Sequence, residues 1–239
     1  MLRSVPLMAT EESYPRLISL AVHELRSPAG VVSGYLRMLQ RDTEMPLSER
    51  HRKMVTEAEK SCARLVALIA ELSEIGKIDE GLIALSQGST DIFPVVAEAA
   101  AGVLEAADRG VHLEVRGQSD GAQTAGDAGR LRAAFAAIFH ALVREQAGPC
   151  LLVAERRLVR KAGGNSAVVI VADESRVQAA SDAPAGAFDE KRGGVGLSLA
   201  IARRVIEAHG GRLWSPASSG VFDERQARST AVIAFPLKD

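Results

Sequence analysis

Apolar residues in the first part of the chain recur with a helical period. Ile18, Leu25, Val32 and Leu39 stand seven apart, Ala21, Pro28 and Tyr35 repeat that spacing, and Val22, Ala29 and Leu36 lie beside them. The pattern predicts one long helix from about Glu11 to Asp42, with the apolar seam of a bundled helix. A polar stretch carrying a proline, Asp42 to Ser48, interrupts it. Met54, Ala58, Ser61, Leu65, Leu68, Leu72 and Ile75 then alternate at spacings of four and three, which predicts a second long helix paired with the first. Two helices leave apolar surface uncovered, so a four-helix bundle formed by two copies is the economical arrangement.

After Gly76 the pattern changes to short β-like runs alternating with helical ones, the signature of a separate α/β unit. A strand is expected at Leu82–Leu85, followed by a helix capped by Asp91 and running to about Ala107. Val111–Val115 reads as a strand, Gly117–Gly126 as a polar loop, and Asp127–Glu145 as a helix with Leu131, Phe135, Ile138, Phe139 and Leu142 inward. Leu151–Val159 and Ala167–Ala172 form a hairpin around Lys161–Asn165. An irregular stretch from Asp173 to Gly193 leads into a helix ending near His209, and strands close the chain near Arg212–Trp214 and Ser229–Phe235. The expected class is α+β, with residues 1–79 a helical-hairpin dimerisation domain and residues 80–239 a two-layer α/β sandwich.

Composition narrows the function. The 239 residues are 47% hydrophobic and 25% charged, so the chain has the means to bury a core. Its 29 basic and 30 acidic residues cancel, which leaves no bulk positive field for a nucleic-acid backbone or an anionic membrane. Aromatic residues are only 4%, too few to stack many bases. The two cysteines, Cys62 and Cys150, are far apart and suit a reducing cytoplasm. No apolar run is long enough to cross a bilayer, the start lacks the apolar core of a signal peptide, and no room for a sensor domain precedes Glu11.

In the heptad frame that places Ile18, Leu25 and Val32 at position a, His23 falls at f, opposite the seam, and faces solvent. Glu24 beside it is a proton acceptor for the imidazole, Ser27 lies one turn on, and Pro28 removes a backbone bond to Glu24. The run His23-Glu24-Leu25-Arg26-Ser27-Pro28, followed by apolar Val31 to Leu36, resembles the phosphoacceptor box of two-component histidine kinases. The resemblance implies that His23 takes a phosphoryl group from ATP and passes it to an aspartate of a response regulator. It gives Glu24 the role of base and makes Ser27 the residue related to phosphatase activity.

A second stretch, Gly193 to Gly211, resembles the glycine box of the same kinases, and Gly126-Asp127 with Arg130-Leu131 resembles the lead-in to their nucleotide-binding helix. The second domain is thereby similar to the ATP-binding domains shared by histidine kinases, gyrase and Hsp90. The resemblance puts Asp173, Gly194, Gly196 and Leu197 at the nucleotide, with Lys191 and Arg192 available to phosphates. Bare backbone N–H groups at a helix start suit phosphate oxygens. His140 stands where the family has an asparagine that holds Mg²⁺, and an imidazole suits Mn²⁺ better. The glycines that normally follow the adenine-binding aspartate are replaced by Glu174-Ser175-Arg176-Val177, the lid segment is short, and only Phe188 of the phenylalanine box is present.

These features imply a cytoplasmic, homodimeric histidine kinase core using ATP and Mg²⁺ or Mn²⁺, with a response-regulator receiver domain and a separate sensor protein as partners. Neither nucleic acid nor membrane insertion is expected. Two other readings stay open: an ATP-independent phosphotransferase of a phosphorelay, and a noncatalytic scaffold.

Overall fold

The computed structural model describes residues 13–82, 88–103, 109–161, 164–194, 196–218 and 220–237. The chain divides into two compact units, the first ending at Ile83 and the second beginning at Ala84.

The first unit is the expected pair of helices, α1 (Ser13–Arg41) and α2 (Glu49–Asp79). The expected start at Glu11 lies outside the described residues. The helix ends at Arg41 because the Asp42 carboxylate turns the chain, accepting the N–H groups of Glu44 and Met45 at 2.9 Å each. Ser48 then caps α2 by accepting the His51 N–H at 3.3 Å. The helices meet along part of the predicted seams, with Ile18, Val22, Ala29 and Leu36 of α1 and Leu68, Leu72 and Ile75 of α2 covered as expected. On α1 the covered positions are Ile18, Val22, Ala29, Ser33 and Leu36, while Leu25, Val32, Tyr35 and Leu39 stay exposed. On α2 the facing line is Val55, Cys62, Ile69 and Gly76, again seven apart, and Met54, Ala58, Ser61 and Leu65 are exposed. Small residues explain the shift, because helices approach most closely where side chains are short. A Cβ on Gly76 would sit 3.5 Å from the Ile18 side chain, and the Cys62 thiol donates to the Ala29 carbonyl at 3.5 Å.

The second unit is built on a mixed six-stranded sheet with the order β2-β4-β5-β8-β7-β6. Its strands are β2 (Val111–Gly117), β4 (Cys150–Lys161), β5 (Gly164–Asp173), β6 (Ala185–Gly186), β7 (Arg212–Pro216) and β8 (Ala231–Pro236). β2 runs parallel to β4, and every other pair is antiparallel. A small separate ribbon joins β1 (Ser89–Asp91) to β3 (Gln123–Ala125). Three helices cover one face: α3 (Ile92–Ala101), α4 (Ala128–Glu145) and α6 (Ser198–Ala208). The predicted inner face of α4 is fully buried, and Phe135 packs on Phe139 and on Phe235 of β8 with ring centroids 6.2 and 6.3 Å apart. The reverse face has its own cluster, in which Val153, Ile170, Ala172 and Val232 meet Val177 and Ala180 of α5 (Val177–Asp182), Phe222, and Ala227 of α7 (Glu224–Arg228).

The expected strand at Leu82–Leu85 falls outside the described residues apart from Leu82, which is exposed coil. α3 ends at Ala101, where the N–H of Gly102 turns back to the Ala99 carbonyl, and the rest of the expected helix, from residue 104 to Ala107, lies outside the described residues. The loop Gly117–Gly126 contains β3, whose pairing with β1 is a long-range effect that local composition does not reveal. Residues 173–193, expected to be irregular, hold α5 and β6. Among the described residues no helix is long and apolar enough to cross a membrane.

One buried histidine ties two helix ends together. His209, just after α6, bonds through Nδ1 to the Val205 carbonyl at 2.6 Å, and its Nε2 accepts the N–H of Asp127, the N-cap of α4, at 2.9 Å. Nδ1 therefore carries the proton. The substitution His209→Phe keeps the ring's bulk but takes the acceptor from the Asp127 N–H, while the Val205 carbonyl keeps the backbone N–H of residue 209, at a cost of about 1 kcal/mol. Urea unfolding followed by the fluorescence of Trp214, the only tryptophan, should show the loss; an unchanged midpoint would refute the tie.

Candidate functional site

The first group of site residues sits on α1. The side chains of His23 and Glu24 are 84% and 71% exposed, and the imidazole Nδ1 lies 3.2 Å from Glu24 Oε1. Such a pair adds little stability at the surface; its consequence is orientation. With Nδ1–H donating to the carboxylate, the lone pair is on Nε2, which points away from the bond. Ser27 is exposed one turn later, on the same side of the helix. α1 runs unbroken through Pro28, although proline has no N–H to offer the Glu24 carbonyl. The polar arc that carries His23 lies opposite the exposed apolar arc of Leu25, Val32 and Leu39.

The second group is in the other unit. Asp173 ends β5, but its carboxylate accepts both the backbone N–H and the hydroxyl of Ser175, so it caps its own turn. Gly193, Gly194 and Gly196 all have left-handed backbone, at φ +67°, +60° and +70°, which side chains rarely tolerate. At Gly193 the need is absolute, since a Cβ would come within 2.6 Å of Ala141 Cα. The glycine run thus lies directly on α4 beside His140. Gly193 N–H is already committed to Glu145 Oε1 at 2.7 Å. Leu197 precedes the first turn of α6, and Lys191 is exposed.

Arg192 departs from the expectation that it meets phosphate. Its side chain is 1% exposed. Nε donates to the Asp189 carbonyl at 2.7 Å, one terminal nitrogen to the carbonyls of Arg228 and of Thr230 (3.2 Å), and the other to Ser215 Oγ at 2.9 Å. The guanidinium also lies 4.0 Å from the centre of the Phe188 ring. Burial pushes its pKa down to about 10, while the carboxylates of Asp189 and Glu145 work in the opposite direction, so it is a charged structural group at neutral pH. Arg228 completes the network with Glu145, at 3.3 Å, and with Asp189, at 2.8 Å. Asp189, Arg228 and Glu145 carry no sequence signal for this role, because each lies on a different element. The spacing of Asp223 and Gln226 does mark the capping box that starts α7.

The residues present do not assemble a magnesium site of the expected kind. An imidazole stands at His140 in place of a carboxamide oxygen, the preferred type of ligand for a hard cation. Among the described residues no cluster of three or more His, Cys, Asp or Glu side chains is placed to hold a metal ion.

Residues 16–81 match the His Kinase A (phospho-acceptor) domain family. The signal transduction histidine-protein kinase BaeS of Escherichia coli is 27% identical over 197 residues, covering 80% of this chain and 41% of that protein. The sensor-like histidine kinase SenX3 of Mycolicibacterium smegmatis is 28% identical over 211 residues, covering 83% and 53%. This chain therefore spans about half, or less, of each relative's length. Full-length ShkA in complex with AMPPNP superposes with a TM-score of 0.61 at 23% identity, covering 93% of this chain and 45% of that one. The Acinetobacter baumannii histidine kinase AdeS superposes with 0.54 at 17% identity, covering 91% and 98%. This chain has a phospho-acceptor hairpin and the fold of a two-component histidine kinase core.

Glu145 makes the second unit acid-sensitive. Burial pushes its pKa up, but the Arg228 guanidinium and the Gly193 N–H outweigh that and hold it below the ordinary value. A carboxyl depressed in the folded state contributes stability above its unfolded pKa and loses it as pH falls through the folded one. Stability should therefore decline from about pH 5 downward. Glu145→Gln should flatten that slope in urea titrations across pH; an unaltered slope would sink the assignment.

Proposed function

We propose that this chain is a protein-histidine kinase core in which His23 takes the γ-phosphoryl group of ATP and hands it to an aspartate of a response-regulator receiver domain. The observation that carries this reading is the solvent-facing His23–Glu24 pair within the matched hairpin. Nε2 attacks phosphorus, an N–P bond forms, and the bond to the leaving oxygen of ADP breaks. Glu24 stabilises the positive ring and takes the Nδ1 proton. In the second step the aspartate oxygen attacks phosphorus, the N–P bond breaks, and Glu24 gives the proton back to Nδ1, so the neutral imidazole is restored. Catalysis of this kind rests on position and charge neutralisation rather than on acid–base strength. Exposure is a requirement, since both phosphoryl donor and acceptor must reach the same nitrogen in turn.

The exposed apolar arc of Leu25, Val32, Tyr35 and Leu39 on α1, with Met54 and Leu65 on α2, supports homodimerisation through the hairpin, because contiguous apolar surface of this extent is otherwise unfavourable in water. A sensor protein, the cytoplasm as location and the domain boundary at residues 79/80 belong to the same proposal. A second reading has specific support. Asp173 is bonded to its own turn, the Gly193 N–H is committed to Glu145, and His140 replaces an oxygen ligand; all three suit an ATP-independent phosphotransferase that receives its phosphoryl group from another receiver domain.

Incubating the chain with γ-labelled ATP and Mg²⁺ or Mn²⁺ should give acid-labile label that His23→Gln abolishes with the fold intact. Label acquired only from a phosphorylated receiver would replace the kinase with the phosphotransferase, and no label from either donor would sink both. Leu65→Glu tests the dimer: light scattering should show a dimeric wild type and a monomeric variant, whereas a monomeric wild type would refute the bundle.

A further inference from the structure

We infer that residues 174–194, which occupy the place of a nucleotide lid, are a permanently folded edge of the second unit and not a cover gated by nucleotide. Three independent anchors carry this. At the start of the segment, α5 is seated on the reverse face of the sheet, with Val177 and Ala180 buried against Ile170 and Ala172 of β5. The Gln178 carboxamide also accepts from Arg157 of β4 at 3.2 Å. In the middle, β6 is the sixth strand of the sheet itself, with Ala185 opposite Pro216 and Gly186 opposite Ser215, and the Pro184 carbonyl accepts the Ala217 N–H at 2.8 Å. Gly186 is pressed so closely on this edge that a Cβ would meet Ala217 Cα at 2.9 Å.

At the far end the anchor is Arg192. Every nitrogen of its guanidinium donates to the protein, to acceptors on three different stretches of chain, and Phe188 packs beneath it. The Arg203 guanidinium of α6 lies 5.6 Å from the centre of the Phe188 ring and donates to the Phe188 carbonyl at 2.8 Å. Freeing the segment would expose a buried aromatic ring and strip the Arg228 carbonyl and Ser215 Oγ of the Arg192 donor, leaving the Thr230 carbonyl only the Ser215 hydroxyl, a penalty that a loop closing over ATP must not carry. The conclusion concerns the segment alone and holds whichever donor phosphorylates His23.

Hydrogen exchange of the full chain tests it, alone and with the nonhydrolysable analogue AMP-PNP in Mg²⁺ or Mn²⁺. Without nucleotide, amides of residues 183–193 should exchange about tenfold or more slowly than free peptide, as amides held in folded structure do, and the analogue should leave their rates unchanged. Free-peptide rates, or protection that appears only with the analogue, would overturn the inference. Arg192→Met should speed exchange in residues 188–193 and at the end of α4 while leaving α1 and α2 unaltered. Unchanged exchange there would show that Arg192 is no anchor, and should the variant fail to fold, the wild-type rates still decide. Failure of phosphorylation at His23 is read in a separate assay and does not bear on this result.

Discussion

A guanidinium withdrawn from water has to find acceptors for all of its donors, and the second unit is organised around meeting that demand for Arg192. The acceptors are backbone carbonyls of residues 189, 228 and 230 and the hydroxyl of Ser215. Those positions belong to the segment before the glycine run, the end of α7, the start of β8 and β7. One side chain therefore sets the distance between elements that are far apart in the chain. Arg228 and Glu145 extend the same network to the last turn of α4, and Glu145 in turn holds the Gly193 amide. The glycine run takes its place on α4 as a consequence.

The hairpin answers a different constraint, since one helix has to serve three surroundings. One arc of α1 carries Ile18, Val22 and Ala29 against α2, the next carries Leu25, Val32 and Leu39 in the open, and the third presents His23 and Ser27 to solvent. Small residues at Ala29, Cys62 and Gly76 make the first contact close and narrow. The larger apolar side chains are thereby kept off it, and His23 stays opposite them. Packing within the chain, exposed apolar surface and an exposed His23–Glu24 pair are separated around one cylinder.

The two faces of the sheet are covered in different ways. α3, α4 and α6 cover one face. The other face is covered by α5, Phe222 and α7 over a cluster of its own. Val177 and Ala180 are packed into that cluster, and Ala185 and Gly186 into the sheet edge. Stability of the unit and freedom of the segment are opposed here, and the packing favours stability.

Much of this was legible in the residues. Heptad spacing specified both long helices, the N-cap Asp91 and the inner face of α4 were readable from short-range chemistry, and His23 was placed in solvent by its heptad position, because all of these depend on helical period and local hydrogen bonds. Which stripe of the hairpin would close was not readable, since both stripes are apolar and the choice turned on the smallness of Cys62 and Gly76 opposite residues more than thirty positions away. Arg192 looked like any loop cation beside Lys191; only the folding of β7, β8 and α7 around it supplied the acceptors that bury it. The β1–β3 ribbon, the edge strand β6 and the turn that occupies Asp173 arise in the same way. The chain's own sequence determined helical period, caps and the solvent-facing position of His23, whereas contacts between distant segments, whose energies no local pattern encodes, decided which charges are buried and how residues 174–194 pack on the sheet.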